Sequence, residues 1–190
     1  MGPTSSVKLH REFETTDARK GLLRPLSWGD LDDCLEFARG LAEEYAVDVN
    51  HGTLIAKAPT REEEMQWLEK VLASIEKGMT VSVAAEVDGE FAGNSEVARG
   101  TNPDLNAHGQ LAIAVAKPYR GVGVGGMMLK TLVEECRSAG LKTVELAALA
   151  SNERAIRLYE RVGFRRVGII PKKIRRRGVA IDELIMSMEL

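Results

Sequence analysis

Apolar residues recur along this chain with two periods. Leu31, Leu35, Ala38, Ala42 and Tyr45 return every three or four positions, which predicts a helix with one buried face. Ser27-Trp28-Gly29-Asp30 opens it, with Ser27 as cap and Asp30 three residues on. Met65, Leu68, Leu72 and Ile75 form a second helical face after the capping sequence Thr60-Arg61-Glu62-Glu63, and Gly78 ends it. Met128, Leu129, Leu132, Val133 and Cys136 form a third, closed by Gly140. Ala155, Ile156, Tyr159 and Val162 form a fourth, opened by Ser151-Asn152 and closed by Gly163. Strands are predicted between these helices. Residues 79–87 and 91–98 flank the hairpin turn Asp88-Gly89. Residues 110–115, 143–149, 165–174 and 184–190 follow, the last with Leu184, Met186, Met188 and Leu190 in alternation. Residues 7–13 and 20–24 can pair around Thr15-Thr16-Asp17, after a loose tail at 1–6. Residues 47–59 and 100–108 read as polar loops without an interpretable motif.

This order mixes hairpins with crossovers. It predicts an α+β class with one mixed, mostly antiparallel sheet flanked by helices. A doubly wound fold would need strand and helix to alternate throughout. The 190 residues and the 44% hydrophobic content fit one domain over 1–190 with its own core. The 26 basic and 28 acidic residues nearly balance, so no nucleic-acid or membrane partner is expected. The polar start lacks an apolar signal core, and a cytoplasmic location is expected. Cys34 and Cys136 both fall on apolar helical faces and read as buried free thiols. No Cys/His spacing suits zinc, so no metal is expected.

The chemistry concentrates in Val115-Ala116-Lys117-Pro118-Tyr119-Arg120-Gly121-Val122-Gly123-Val124-Gly125-Gly126. A strand leads through a glycine-rich turn into a helix N-terminus. Such a turn leaves N–H groups unpaired and aimed at one point, where the helix dipole also favours negative charge. The natural guest is a phosphate or pyrophosphate. Gly121, Gly123 and Gly126 satisfy G-x-G-x-x-G, and Glu145 lies about 20 residues on, as in dinucleotide-binding folds. Against a nicotinamide-dependent oxidoreductase stand three facts. Four residues separate the strand from the fingerprint, over half the chain precedes it, and Glu145 sits inside an apolar run.

Arg120-x-x-Gly123-x-Gly125 and Asn152-Glu153-Arg154-Ala155-x-x-x-Tyr159-x-x-x-Gly163-Phe164 together resemble the coenzyme A signature and following segment of the GNAT acetyltransferases. The resemblance covers residues 109–190, and its flavour is that of ribosomal-protein alanine and small amino-acid or amine acetyltransferases. It implies an N-acetyltransferase that moves an acetyl group from acetyl-CoA to a primary amine, either a small molecule or a protein N-terminus. It implies that backbone groups of Ile113, Ala114 and Val115 pair with the pantetheine arm, where the sheet splays after a bulge. Amides of Arg120, Gly121, Val122, Gly123, Val124, Gly125 and Gly126 would hold the pyrophosphate. Asn152 would bond the pantetheine, and the Tyr159 phenol would sit near the thioester sulfur as general acid.

The presumed cofactor strand carries no acid. Glu96 on the preceding strand is the first candidate for the general base, His108 the second and Glu145 the third. Arg154 and Arg157 are placed to reach the nucleotide end, with solvated surface charge as the plainer reading. The basic cluster Lys172-Lys173-x-Arg175-Arg176-Arg177 reads as a solvated hairpin near the acceptor side. The alternative function is an acyl-CoA-binding module without turnover. A homodimer is expected from the resemblance and from the apolar C-terminal strands.

Overall fold

The computed structural model describes residues 10–190. The expected tail at 1–6 and the first residues of the expected 7–13 strand lie outside the described residues. Eight strands form one sheet in the order β1-β2-β3-β4-β5-β6-β8-β7. They are β1 (Arg11–Glu14), β2 (Lys20–Arg24), β3 (Thr80–Val87), β4 (Glu90–Arg99), β5 (His108–Val115), β6 (Thr143–Leu149), β7 (Arg165–Arg176) and β8 (Val179–Glu189). The helices are α1 (Leu31–Val47), α2 (Arg61–Glu76), α3 (Val124–Ser138) and α4 (Glu153–Val162). Among the described residues β5 and β6 form the one parallel pair. The α+β class and the mixed, mostly antiparallel sheet are those expected. None of these helices is long and apolar enough to cross a membrane.

Helix α3 is the pillar of one face. Its apolar stripe of Val124, Met128, Leu129 and Leu132 is fully buried and packs with Val83, Val97, Leu146 and Met186 from four strands. Helices α1 and α2 cover the opposite face, where Cys34 and Leu68 pack on Ala84. Both thiols are buried, and desolvation pushes Cys34 and Cys136 up to about 12, so they behave as small apolar side chains. The expected face of α2 is wrong at one end, because Met65 is 43% exposed while Glu64 is 7% exposed and faces inward.

The last two strands run further than their apolar residues suggested. β7 ends at Arg176, two residues beyond Ile174, and a turn at Arg177-Gly178, both with positive φ, joins it to β8. A run of basic residues does not prevent a two-stranded ribbon from extending when each faces an apolar partner, as Arg175 faces Ala180 and Arg176 faces Val179.

A buried ion-pair cluster fastens the start of α1 to the sheet. The Arg24 guanidinium donates to Asp30 Oδ2 at 2.9 Å and to Glu86 Oε1 at 2.5 Å. Asp30 also accepts from the Ser27 N–H at 2.7 Å, which closes the expected capping sequence. Burial acts to raise the Asp30 pKa. The Arg24 and Ser27 hydrogen bonds outweigh it and hold the carboxyl below the ordinary 3.8. Asp30 therefore contributes stability above the unfolded-state value, and that contribution is lost as pH falls through the lower folded-state value. Asp30→Asn should cost about 3 kcal/mol at neutral pH, because Arg24 loses its better partner in a buried site. Denaturant titrations across pH should show the gap between wild type and variant closing in acid.

Candidate active site

The site begins where two strands part. β5 and β6 pair only at His108↔Thr143, Gly109↔Val144 and Gln110↔Glu145. Beyond Gln110 they diverge, and a cleft of about 1480 Å³ opens between them. On its other side β5 stays paired with β4 from Arg99↔Gly109 to Gly93↔Val115. A bulge lies beside this pairing, because the β3–β4 register passes from Ala85↔Gly93 to Glu86↔Phe91 and leaves Ala92 over.

The phase of β5 decides which backbone groups face the cleft. Gly100 N–H donates to His108 O at 3.1 Å, and Ala116 N–H donates to Ala92 O at 2.8 Å. Alternation between these two bonds turns Ala112 and Ala114 toward β4. Ile113 and Val115 therefore present their backbone groups to the gap. The expectation for Ala114 is corrected, since its backbone belongs to the β4 ladder.

The glycine turn follows directly. Gly121 (φ +87) and Gly123 (φ +98) take left-handed conformations that a side chain would strain. The turn is pinned from behind by Thr16 N–H, which donates to Val122 O at 3.0 Å. Among the described residues, no backbone bond engages the N–H groups of Gly121, Val122, Gly123, Val124 or Gly125. Two expected amides are already engaged: Arg120 N–H bonds Lys117 O, and Gly126 N–H bonds Gly123 O. The Val124 side chain is fully buried in the core, so only its backbone belongs to the turn.

The Arg120 side chain does not face the turn. It makes a bidentate pair with Glu44 of α1 at 2.6 and 2.8 Å, and its Nε donates to Val115 O at 2.7 Å. It thus ties α1 to the end of β5. Arg154 takes the place at the turn instead. A Cβ on Gly121 would meet its Nη2 at 2.9 Å. Arg157, one turn on, pairs with Glu153 at the surface.

Asn152 caps α4, its Oδ1 accepting from Ala155 N–H at 3.2 Å. Its amide nitrogen points across the cleft to Gly52. Tyr159 lies on the buried face of α4, edge-on to Phe164 with 6.1 Å between ring centroids. Burial pushes its phenol up to about 12, so it stays protonated at neutral pH. Glu96 lines the cleft from the α1–α2 side, opposite Ala112. Its Oε2 is buried with no hydrogen-bond partner, and desolvation raises its pKa. His108 and Glu145 do not line the cleft. They sit where the sheet is still closed, His108 Nδ1 lying 3.0 Å from Thr143 Oγ1. That placement also removes Glu145 from any ribose-binding role.

The loop at 47–59 was unreadable from sequence, yet it forms a wall of the cleft. Arg176 holds it. This residue, expected in solvent, is 2% exposed. Its guanidinium donates to the carbonyls of Val49 (3.1 Å), His51 (2.6 Å) and Thr53 (2.9 Å) and stacks 4.0 Å over Tyr45. The neighbouring Arg177 donates to Ala46 O at the end of α1. The basic cluster is therefore partly structural. His51 is brought to 3.7 Å from Glu44, and burial lowers its pKa. Glu64 was also overlooked. Its spacing of four from Leu68 places both on one helical face, a signal that was available.

A family model described as the GNAT acetyltransferase family matches residues 38–164. The chain belongs to this family. A probable N-acetyltransferase camello from Xenopus tropicalis is 32% identical over 119 residues, 57% of this chain and 52% of that protein. The chain thus spans about half of that relative. An L-methionine sulfoximine/L-methionine sulfone acetyltransferase from Pseudomonas aeruginosa is 28% identical over 116 residues, 60% of this chain and 67% of that protein. The crystal structure of a ribosomal-protein-alanine N-acetyltransferase from Brucella melitensis superposes with a TM-score of 0.77 at 23% identity, covering 89% of this chain and 99% of that one. At that identity the likeness shows the fold.

Arg176→Lys keeps the charge but cannot span three carbonyls and a ring face. It should lower stability by about 1–3 kcal/mol through unsatisfied buried carbonyls. Limited proteolysis should then cut within 48–58 faster than in wild type, while the α3 region stays protected.

Proposed function

We propose that this protein is an acetyl-CoA-dependent N-acetyltransferase acting on a primary amine by direct attack in a ternary complex. One observation carries the reading: the unbonded amides of the glycine turn, the open edge of β5, Tyr159 and Glu96 all converge on one cleft. The bent backbone at Gly121 and Gly123 offers a cradle for a pyrophosphate, and Arg154 adds positive charge beside it. The open groups of Ile113 and the Val115 N–H suit the amide-bearing pantetheine arm, bound as a short added strand, while the Val115 carbonyl is already taken by Arg120. Asn152 would contribute its side-chain amide.

Acetyl-CoA supplies the activated thioester carbonyl. Glu96, with its raised pKa and free oxygen, takes the proton from the acceptor ammonium. The cleft holds the resulting amine near the carbonyl carbon, and this positioning carries much of the rate. A backbone N–H on the open edge of β5 stabilises the charge that develops on the carbonyl oxygen. As the C–N bond forms and the C–S bond breaks, Tyr159, kept protonated by burial, gives its proton to the departing thiolate, and the second proton of the attacking nitrogen returns to the phenolate so that the amide product is neutral. A binder without turnover would have no use for this acid and base.

Calorimetric titration with acetyl-CoA should give saturable binding, and its absence would overturn the reading. Tyr159→Phe keeps the ring and the turn intact. Its affinity for acetyl-CoA should change little, while kcat falls by about 10²–10⁴, the usual worth of a positioned proton donor. An unchanged kcat, with chemistry rate-limiting, would remove the phenol from the mechanism.

The two free, buried thiols fit a reducing, cytoplasmic setting. We also infer a homodimer. β7 is an edge strand that leaves Val167, Ile169 and Ile170 exposed, and a second copy pairing along this edge would cover them. Sedimentation should show a dimer for wild type and a monomer for Ile169→Lys. Wild type sedimenting only as a monomer at working concentration would refute it.

A further inference from the structure

Resting on the acetyltransferase reading, we propose that the acceptor is a small primary amine with an apolar body and no carboxylate beside its nitrogen. The glycine turn, α3, α4 and Tyr159 occupy one side of the sheet and belong to the cofactor. The amine must come from the other side, through the part of the cleft walled by α1, α2 and the loop between them. That part is lined by the apolar side chains of Phe37, Leu41, Ile55 and Trp67.

Two carboxyl groups face the same space, Glu64 from α2 and Glu96 from β4. Glu64 is 7% exposed, and Glu96 Oε2 is buried without a partner. Burial alone shifts both upward, and no neighbouring cation offsets it. The arginines nearby are already engaged. Arg24 is held by Asp30 and Glu86, Arg120 by Glu44, and Arg176 by three carbonyls. Lys57 is exposed, and its charge acts on Glu63.

An arriving ammonium therefore meets two desolvated carboxyls that lack a counter-ion. An arriving carboxylate meets the same pair, and among the described residues the one unpaired cation lining this part of the cleft, Lys57, is exposed and screened by water. Like charges set side by side in a desolvated site are strongly unfavourable, so the pocket selects by repulsion as well as attraction. The apolar walls then select the rest of the molecule. Size follows from the cleft, whose volume of about 1480 Å³ also has to hold acetyl-CoA.

The test compares three amines that share a benzyl group: 2-phenylethylamine, L-phenylalaninamide and L-phenylalanine. Thiol release from acetyl-CoA is followed for each. We expect kcat/KM for 2-phenylethylamine to exceed that for L-phenylalanine by about 10²-fold or more. The neutral amide, which matches the acid in size, should stay nearer the amine. Glu64→Gln should raise KM for 2-phenylethylamine about tenfold with kcat nearly held, and should narrow the gap to L-phenylalanine. Unchanged affinity for acetyl-CoA will show that this variant is folded. Equal or better turnover of L-phenylalanine, or of peptides in place of amines, overturns this inference and leaves the acetyltransferase reading standing. Glu64→Gln with both KM and discrimination unchanged also overturns it. If acetyl-CoA binds and no amine, amino acid or peptide releases thiol, the acetyltransferase reading falls and this inference falls with it.

Discussion

The structure turns on a pairing that the sheet does not make. Between Gln110 and Val115 one edge of β5 has no neighbour, although it lies near the middle of an eight-stranded sheet. Backbone groups in such a place need partners, and an interior strand normally finds them in the next strand. Here the surroundings keep the gap open instead. The Ala92 bulge bends the neighbouring strand, Arg120 takes the Val115 carbonyl, and α4 crosses at the far side with Tyr159 facing in. The fold is stable because α3 supplies a core that does not depend on the missing ladder.

Charge is sorted along the same opening. The end at the glycine turn has unbonded N–H groups with Arg154 and Lys130 at its rim. The end beneath α1 and α2 has desolvated carboxyls. Arg120 and Glu44 sit between these ends and neutralise each other, so neither biases the opening. On the acetyltransferase reading, a polyanionic cofactor and a cationic acceptor would be drawn to opposite ends before either makes a specific contact.

What was legible in the sequence was local. Helix faces, the Asp88-Gly89 hairpin, the glycine turn and the Asn152 cap each depend on residues within about one or two helical turns. What escaped depends on partners far along the chain. Arg120 finds Glu44 across 76 residues, and Arg176 finds Val49 across 127. No periodicity records such a meeting. The role of Ala114 escaped for another reason: a strand pattern gives side-chain faces but not which edge bonds to which neighbour, and that phase is set by the register with β4. The inward turn of Glu64 was recoverable, because it shares a helical face with Leu68, but an acid is not read as part of an apolar stripe.

Arg176 joins two segments that the chain keeps far apart. The hairpin tip supplies the guanidinium and the loop after α1 supplies the carbonyls, so neither is complete alone. Segments coupled in this way must change together if the contact is to survive. A chain that received a different loop after α1, without the matching hairpin tip, would present three carbonyls and no donor. A new shape for this wall of the cleft is therefore open to substitution within the existing frame, or to replacement of both segments at once.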